Sequence, residues 1–247
     1  MNGRTTDNEQ LTTYSLLNDY LMPMRAWLEA AVLTRPPRLL HPLLPGCEWT
    51  GPRRAPTGAP IIYLTFDDGP IPDETPWVLE QLAIYEAKAT FFCVGQNLER
   101  YPDIARAALA AGHRLGNHTH HHRSAWATHR ASYLADAAEC RAIITELEGA
   151  VHSGPSRPLF RPPYGRLTWP LLQTMRAEYR IIMWSVLTRD YDPRLSPESC
   201  LRHTLATMRP GDVLVFHDSQ KASVRLRFVL PRVLAHLAEQ GYQFAAL

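Results

Sequence analysis

Two adjacent carboxylates, Asp67 and Asp68, precede Gly69-Pro70, and two histidines, His118 and His122, stand four residues apart. Neighbouring carboxylates at a strand end point different ways, so one can bind a cation while the other stays free to take a proton. A plain turn is the rival reading, because Asp-Gly-Pro is favourable turn chemistry. One helical turn puts both imidazoles on one side, the spacing that serves divalent metals in other folds. Its rival is a solvated histidine run, since His120 and His121 crowd the same stretch. Two histidines plus one carboxylate leave a coordination position open, as in catalytic rather than structural zinc sites. Such an ion lowers the pKa of bound water towards about 7 and polarises a carbonyl oxygen, so hydrolysis is the natural reaction class.

Two more segments carry usable groups. In Arg161-Pro162-Pro163-Tyr164-Gly165 the prolines stiffen a loop that could hold the guanidinium against a carboxylate and present a backbone N–H to substrate. A rigid surface loop that caps a helix is the alternative. His217, followed by Asp218, is either a general acid for a leaving group or a structurally bonded histidine.

These residues need elements to position them. Short apolar runs at Ile61 to Phe66, Ala89 to Val94, His113 to Asn117, Pro158 to Phe160, Arg180 to Leu187, Asp212 to Phe216 and Tyr242 to Ala246 read as strands. Helical spacing occupies the segments near 74–86, 98–111, 131–148, 168–178, 197–208 and 224–239. Alternation of seven strands with six helices predicts an α/β fold with a parallel sheet. Pro60 to Leu247 is shorter than the roughly 250 residues of an eight-unit barrel, which favours a reduced, distorted (β/α) barrel over a doubly wound open sheet. Asp67, Asp68, His118, His122, Arg161, Asp190 and His217 all fall at downstream strand ends, where parallel α/β folds place their active sites.

Composition narrows the classes. With 247 residues and 45% hydrophobic content the chain can bury a core without staples. Lys+Arg 26 against Asp+Glu 24 leaves no basic footprint for nucleic acid. Cys47, Cys93, Cys140 and Cys200 are too scattered for a C-x-x-C pair and read as reduced fillers. No run is long and apolar enough to span a bilayer, and the N-terminus lacks a basic n-region and clean apolar h-region. The expectation is a cytoplasmic protein, with export by a route not written in the N-terminus as the alternative. Residues 1–59 read as a Pro-rich extension with one helix near 11–33, ahead of a domain over 60–247.

In order along the chain stand Thr65-Phe66-Asp67-Asp68-Gly69, His118-Thr119-x-x-His122, Arg161-x-Pro163-Tyr164-Gly165, Trp184 to Tyr191, and Val213-Leu214-Val215-Phe216-His217-Asp218. This series resembles the polysaccharide deacetylases with NodB homology, carbohydrate esterase family four, over roughly residues 60–247. The resemblance implies a distorted, seven-stranded (β/α) barrel and metal-dependent removal of acetyl groups from sugars. It implies that Asp68, His118 and His122 hold the metal, Asp67 is the base, and His217 is the acid. By the same analogy Arg161 orients Asp67, Asp190 aligns His217, and the Tyr164 backbone N–H meets the oxyanion. Trp184 and Leu214 would line a pocket for the acetyl methyl group. The fourth motif departs from the usual Asp-x-x-Asp-Trp, because Leu187 replaces the first aspartate and Tyr191 the tryptophan.

Tyr164, Tyr191 and Trp126 are aromatics that could stack on a sugar, although core packing is the commoner fate of a tryptophan. His113 and Asn117 are assigned structural roles. The implied cofactor is a divalent metal, zinc first, with cobalt, nickel or manganese as alternatives. The implied partner is an acetylated sugar or oligosaccharide, most simply N-acetylated. A small non-sugar amide and a non-catalytic carbohydrate-binding module are the competing functions. Oligomeric state is not written in the sequence.

Overall fold

The computed structural model describes residues 34–149 and 157–247. The helix expected near 11–33 lies outside the described residues. Strand β1 (Cys47–Glu48) precedes β2 (Ile61–Asp67), β3 (Ala89–Cys93), β4 (Arg114–Asn117), β5 (Leu159–Phe160), β6 (Arg180–Ile182), β7 (Val186–Leu187), β8 (Val213–His217) and β9 (Gln243–Phe244). The helices are α1 (Glu74–Ile84), α2 (Gly95–Arg100), α3 (Pro102–Ala110), α4 (Arg130–Glu148), α5 (Trp169–Glu178), α6 (Pro197–Thr207) and α7 (Ser223–Glu239).

All strand pairs are parallel, and the order across the sheet is β1-β6-β5-β4-β3-β2-β8-β7, with β9 on β2. β6 and β7 therefore sit near opposite ends of the order, yet only Met183, Trp184 and Ser185 separate them in the chain. Three residues reach about 10 Å. The sheet must curl until its ends nearly meet, which makes it a distorted barrel and removes the open-sheet alternative.

This closure corrects the expected single strand Arg180 to Leu187. The Met183 N–H donates to Glu48 O at 2.7 Å on the β1 side, whereas the Ser185 N–H donates to Val213 O at 3.1 Å on the β8 side. The segment changes neighbours midway and cannot be one strand. That split, plus β1 from the expected extension, raises the seven predicted strands to nine among the described residues. Residues 34–59 are tied to the barrel further by the Arg35–Asp212 ion pair at 2.8 Å and the Thr50↔Asp212 bridge. The helix expected over 98–111 is also divided, because Pro102 restricts Tyr101, which sits at φ −132° and ψ 53°. Among the described residues no helix is long and apolar enough to cross a membrane.

Strand alternation sorts the buried residues into two layers. Ile62, Leu64, Phe66, Phe91, Leu214 and Phe216 pack outward with α7 residues such as Leu226, Val229 and Leu230. Ile61, Tyr63, Phe92, Leu159, Ile182 and Val213 fill the barrel interior. Gly116 on β4 makes room for that filling, since a Cβ there would lie 2.5 Å from the Phe92 ring. Gly116→Ala is expected to lower stability by about 1–3 kcal/mol through overpacking. A denaturant titration checks this, and an unchanged midpoint would show that Phe92 is free to yield.

Candidate active site

β2 and β8 run side by side, with Asp67 and His217 as register partners at their downstream ends. One residue on, Asp68 turns away at φ 83°, so the two adjacent carboxylates diverge. This turn is braced from below. Asp218 accepts from the Gly69 N–H at 3.1 Å and from Thr75 Oγ1 at 2.6 Å. A Cβ on Gly69 would lie 2.0 Å from Asp218 Oδ2, so a larger residue cannot stand there. Asn97 Nδ2 donates to Asp68 O at 2.7 Å from the α2 side. Burial pushes the Asp218 carboxyl up to about 8, which leaves it a neutral brace near pH 7.

His118 follows β4 and His122 follows a loop, not a helical turn as the four-residue spacing had suggested. Thr119 at φ 63° and His122 at φ 53° reverse the backbone, and the Thr119 N–H is caught by Asn117 Oδ1 at 2.8 Å. Left-handed residues shorten the path as a helix would, so the two imidazoles still converge, with ring centroids 5.0 Å apart. Their Nε2 atoms lie 3.8 and 3.2 Å from Asp68 Oδ1. His120 and His121 turn elsewhere, His120 towards Glu99 and Glu139 and His121 onto Asp136. The crowded histidine stretch is thus divided by backbone conformation into two sets.

The donor set Asp68, His118 and His122 fits a divalent cation. Arg161 O lies 2.7 Å from His118 Nδ1, and a carbonyl can only accept, so Nδ1 carries the proton and the Nε2 lone pair faces Asp68. Burial holds the His118 pKa down to about 4, keeping it neutral as a ligand must be. Burial alone would raise the Asp68 carboxyl, but the His122 hydrogen bond and the surrounding imidazoles outweigh it and hold it below the usual carboxylate range.

The Arg161 guanidinium is buried inside the barrel. It donates to Asp67 Oδ1 and Thr65 Oγ1, both at 2.7 Å, to Met183 O at 3.0 Å and to Ile182 O at 3.3 Å, and lies over the Phe92 ring at 4.1 Å. Burial lowers its pKa, with Asp67 opposing. Asp190 grips His217 twice, accepting from the backbone N–H and bonding ring Nδ1, each at 2.8 Å. Arg225 Nε donates to Asp190 O. Burial would lower the His217 pKa, but Asp190 outweighs it and raises it to about 9. Tyr191 packs edge-on to His217 at 4.9 Å, so its ring supports the imidazole.

Tyr164 takes φ 60° in the Pro163–Gly165 turn and meets the His122 ring at 4.7 Å. Trp126 is not core; it is 66% exposed, with Nε1 donating to Leu167 O at 3.2 Å. His113 and Asn117 hold backbone, accepting from Ala89 N–H and donating to Ala137 O respectively. One expectation fails. Leu214 belongs to the outward layer with Phe216, because alternation from His217 places Val215, not Leu214, on the site side. Val215 packs with Trp184, Leu187 and Met183. Counting back two from His217 would have found it.

A sequence model of the family described as polysaccharide deacetylase matches residues 54–180. The chain is 32% identical over 200 residues to a peptidoglycan-N-acetylglucosamine deacetylase of Bacillus cereus, an alignment covering 78% of this chain and 88% of the relative. It is 33% identical over 207 residues to a chitooligosaccharide deacetylase of Sinorhizobium fredii, covering 78% and 93%. The solved structure of the Bc1960 peptidoglycan N-acetylglucosamine deacetylase matches with a TM-score of 0.71 at 28% identity, covering 85% of this chain and 94% of that one.

His217 yields a pH prediction for the metal-free chain. A pKa raised in the folded state contributes stability that is complete below the unfolded value near 6.5 and is lost as pH rises through about 9. NMR titration of the His217 ring should give a midpoint near 9, and Asp190→Asn should move it down. A wild-type midpoint near 6.5 would mean that the Asp190 contact does not form.

Proposed function

This chain belongs to the polysaccharide deacetylase family, and from that premise we propose that it hydrolyses acetamido groups on an amino-sugar glycan, releasing acetate and leaving a free amine. The observation that carries the reading is the register pairing of Asp67 with His217 beside the Asp68–His118–His122 donor set. A proton acceptor and a proton donor stand at the ends of neighbouring strands with a cation site next to them, which is what amide hydrolysis requires.

Asp68, His118 and His122 would hold a divalent cation, zinc first with cobalt, nickel or manganese as alternatives, and the bound ion supplies Lewis-acid polarisation of a carbonyl and a lowered pKa for water. Arg161 keeps Asp67 fixed through Oδ1, so the other carboxylate oxygen remains to take the proton of the attacking water. The backbone N–H of Tyr164, in its rigid turn, meets the oxyanion that forms as the carbonyl carbon becomes tetrahedral. His217, protonated near pH 7, gives its proton to the departing nitrogen as the C–N bond breaks. Asp190 keeps the imidazole oriented and favours its charged form. Val215 and Trp184, packed together beside His217, accommodate the acetyl methyl group in place of Leu214.

Acetate release from N-acetylated chitooligosaccharides and peptidoglycan fragments tests the reaction with the zinc-loaded protein. Asp67→Asn should lower kcat by about 10²–10⁴-fold while bound zinc, measured by elemental analysis, is retained. A chelator should abolish turnover, and zinc or cobalt should restore it. No acetate from any acetylated glycan would overturn the proposal.

A further inference from the structure

The histidines that do not face Asp68 belong to a second group of donors. His120 Nε2 lies 3.7 Å from Glu99 Oε2 on α2 and 3.8 Å from Glu139 Oε1 on α4. His120, His121 and Glu139 each offer one ligand atom, and these atoms lie within 4.8 Å of one another. His120 is only 4% exposed, and its Nδ1 is buried with no hydrogen-bond partner among the described residues. Its Nε2 stands beyond hydrogen-bond distance of both carboxylates. A buried imidazole in this state lacks the bonds that normally offset its desolvation. The two glutamates that approach it are half-exposed, so packing does not force them together.

His121 is oriented as a metal ligand would be. Asp136 Oδ1 lies 2.6 Å from its Nδ1, and Asp136 Oδ2 accepts from the backbone N–H groups of His120 and His121, each at 3.0 Å. A carboxylate only accepts, so Nδ1 carries the proton and the Nε2 lone pair is free, the relay by which carboxylates orient ligating histidines. Neighbouring ligand atoms around a tetrahedral ion stand about 3.3–3.4 Å apart, so the exposed glutamates need to move only slightly. His118 Nε2 stands equally far from Asp68, at 3.8 Å. Two neutral imidazoles and two carboxylates balance the charge of a divalent cation. We propose that His120, His121, Glu139 and Glu99 form a second divalent-cation site, distinct from the Asp68–His118–His122 set, with zinc among the ions that its imidazoles suit. An ion there ties α2 and α4 to the loop that carries His118 and His122. Helix α2 already holds that loop through the Gln96 N–H on His120 O at 3.1 Å, and holds Asp68 O through Asn97.

Zinc stoichiometry of the full chain, measured by elemental analysis after equilibrium dialysis, tests the site. Wild type should hold two ions per chain. Asp68→Ala should empty one position and leave the other filled, whereas Glu99→Gln combined with Glu139→Gln should empty the second and leave the Asp68 set filled. Both glutamates are half-exposed, so this double variant should fold, and circular dichroism verifies that it does. In the Asp68→Ala chain, zinc at about 100 times its Kd should raise Tm by about 5–10 °C. Adding Glu99→Gln and Glu139→Gln to that chain should abolish the rise. A single ion that depends on Asp68, or two ions that survive loss of both glutamates, would overturn the inference. A single ion that depends on the glutamates and not on Asp68 would support it while removing the cation from the proposed reaction.

Discussion

A guanidinium buried in the barrel interior organises this molecule. Arg161 reaches strand β2 through Thr65 and Asp67, and reaches the break between β6 and β7 through the carbonyls of Ile182 and Met183. Its own carbonyl meanwhile binds His118. The residue that fixes the candidate base thus also fixes the tautomer of a candidate ligand. Leaving one member of such a buried pair alone costs about 3–5 kcal/mol, so the geometry of the site and the closure of the barrel are maintained together.

Closely spaced groups at the strand ends reach opposite protonation states through their neighbours. His118 and His217 are both buried, yet one is held near 4 and the other near 9, because burial prevails at His118 whereas at His217 the hydrogen-bonded Asp190 carboxylate outweighs it. Asp68 and Asp218 diverge in the same way. Asp68 faces imidazoles and stays ionised, whereas at Asp218 burial and the nearby Asp68 charge outweigh hydrogen bonds from groups such as the Gly69 N–H and the Thr75 hydroxyl, so it holds its proton near pH 7. Burial supplies the sensitivity and the partner decides the sign.

Much of the fold was legible because parallel strands buried on both faces read as apolar runs, as Ile61 to Phe66 and Ala89 to Cys93 do. The segment Arg180 to Leu187 reads the same way, and nothing in its pattern announces that its halves pair with opposite ends of a curled sheet. The resemblance implies Leu214 as a lining of the methyl pocket, but period-two alternation counted from His217 points to Val215.

The sequence alone determined which chemistry was available, since carboxylates, imidazoles and a guanidinium placed after apolar runs must emerge at strand ends on one face of a parallel sheet. It also determined the helix break at Pro102 and the stiff Arg161-to-Gly165 loop, both consequences of local covalent geometry. Tertiary structure alone decided which histidines converge and which carboxylate keeps its proton. Those outcomes depend on distances between segments far apart in the chain, and an electrostatic or hydrogen-bonded contact acquires its strength and sign only when folding removes water from around it.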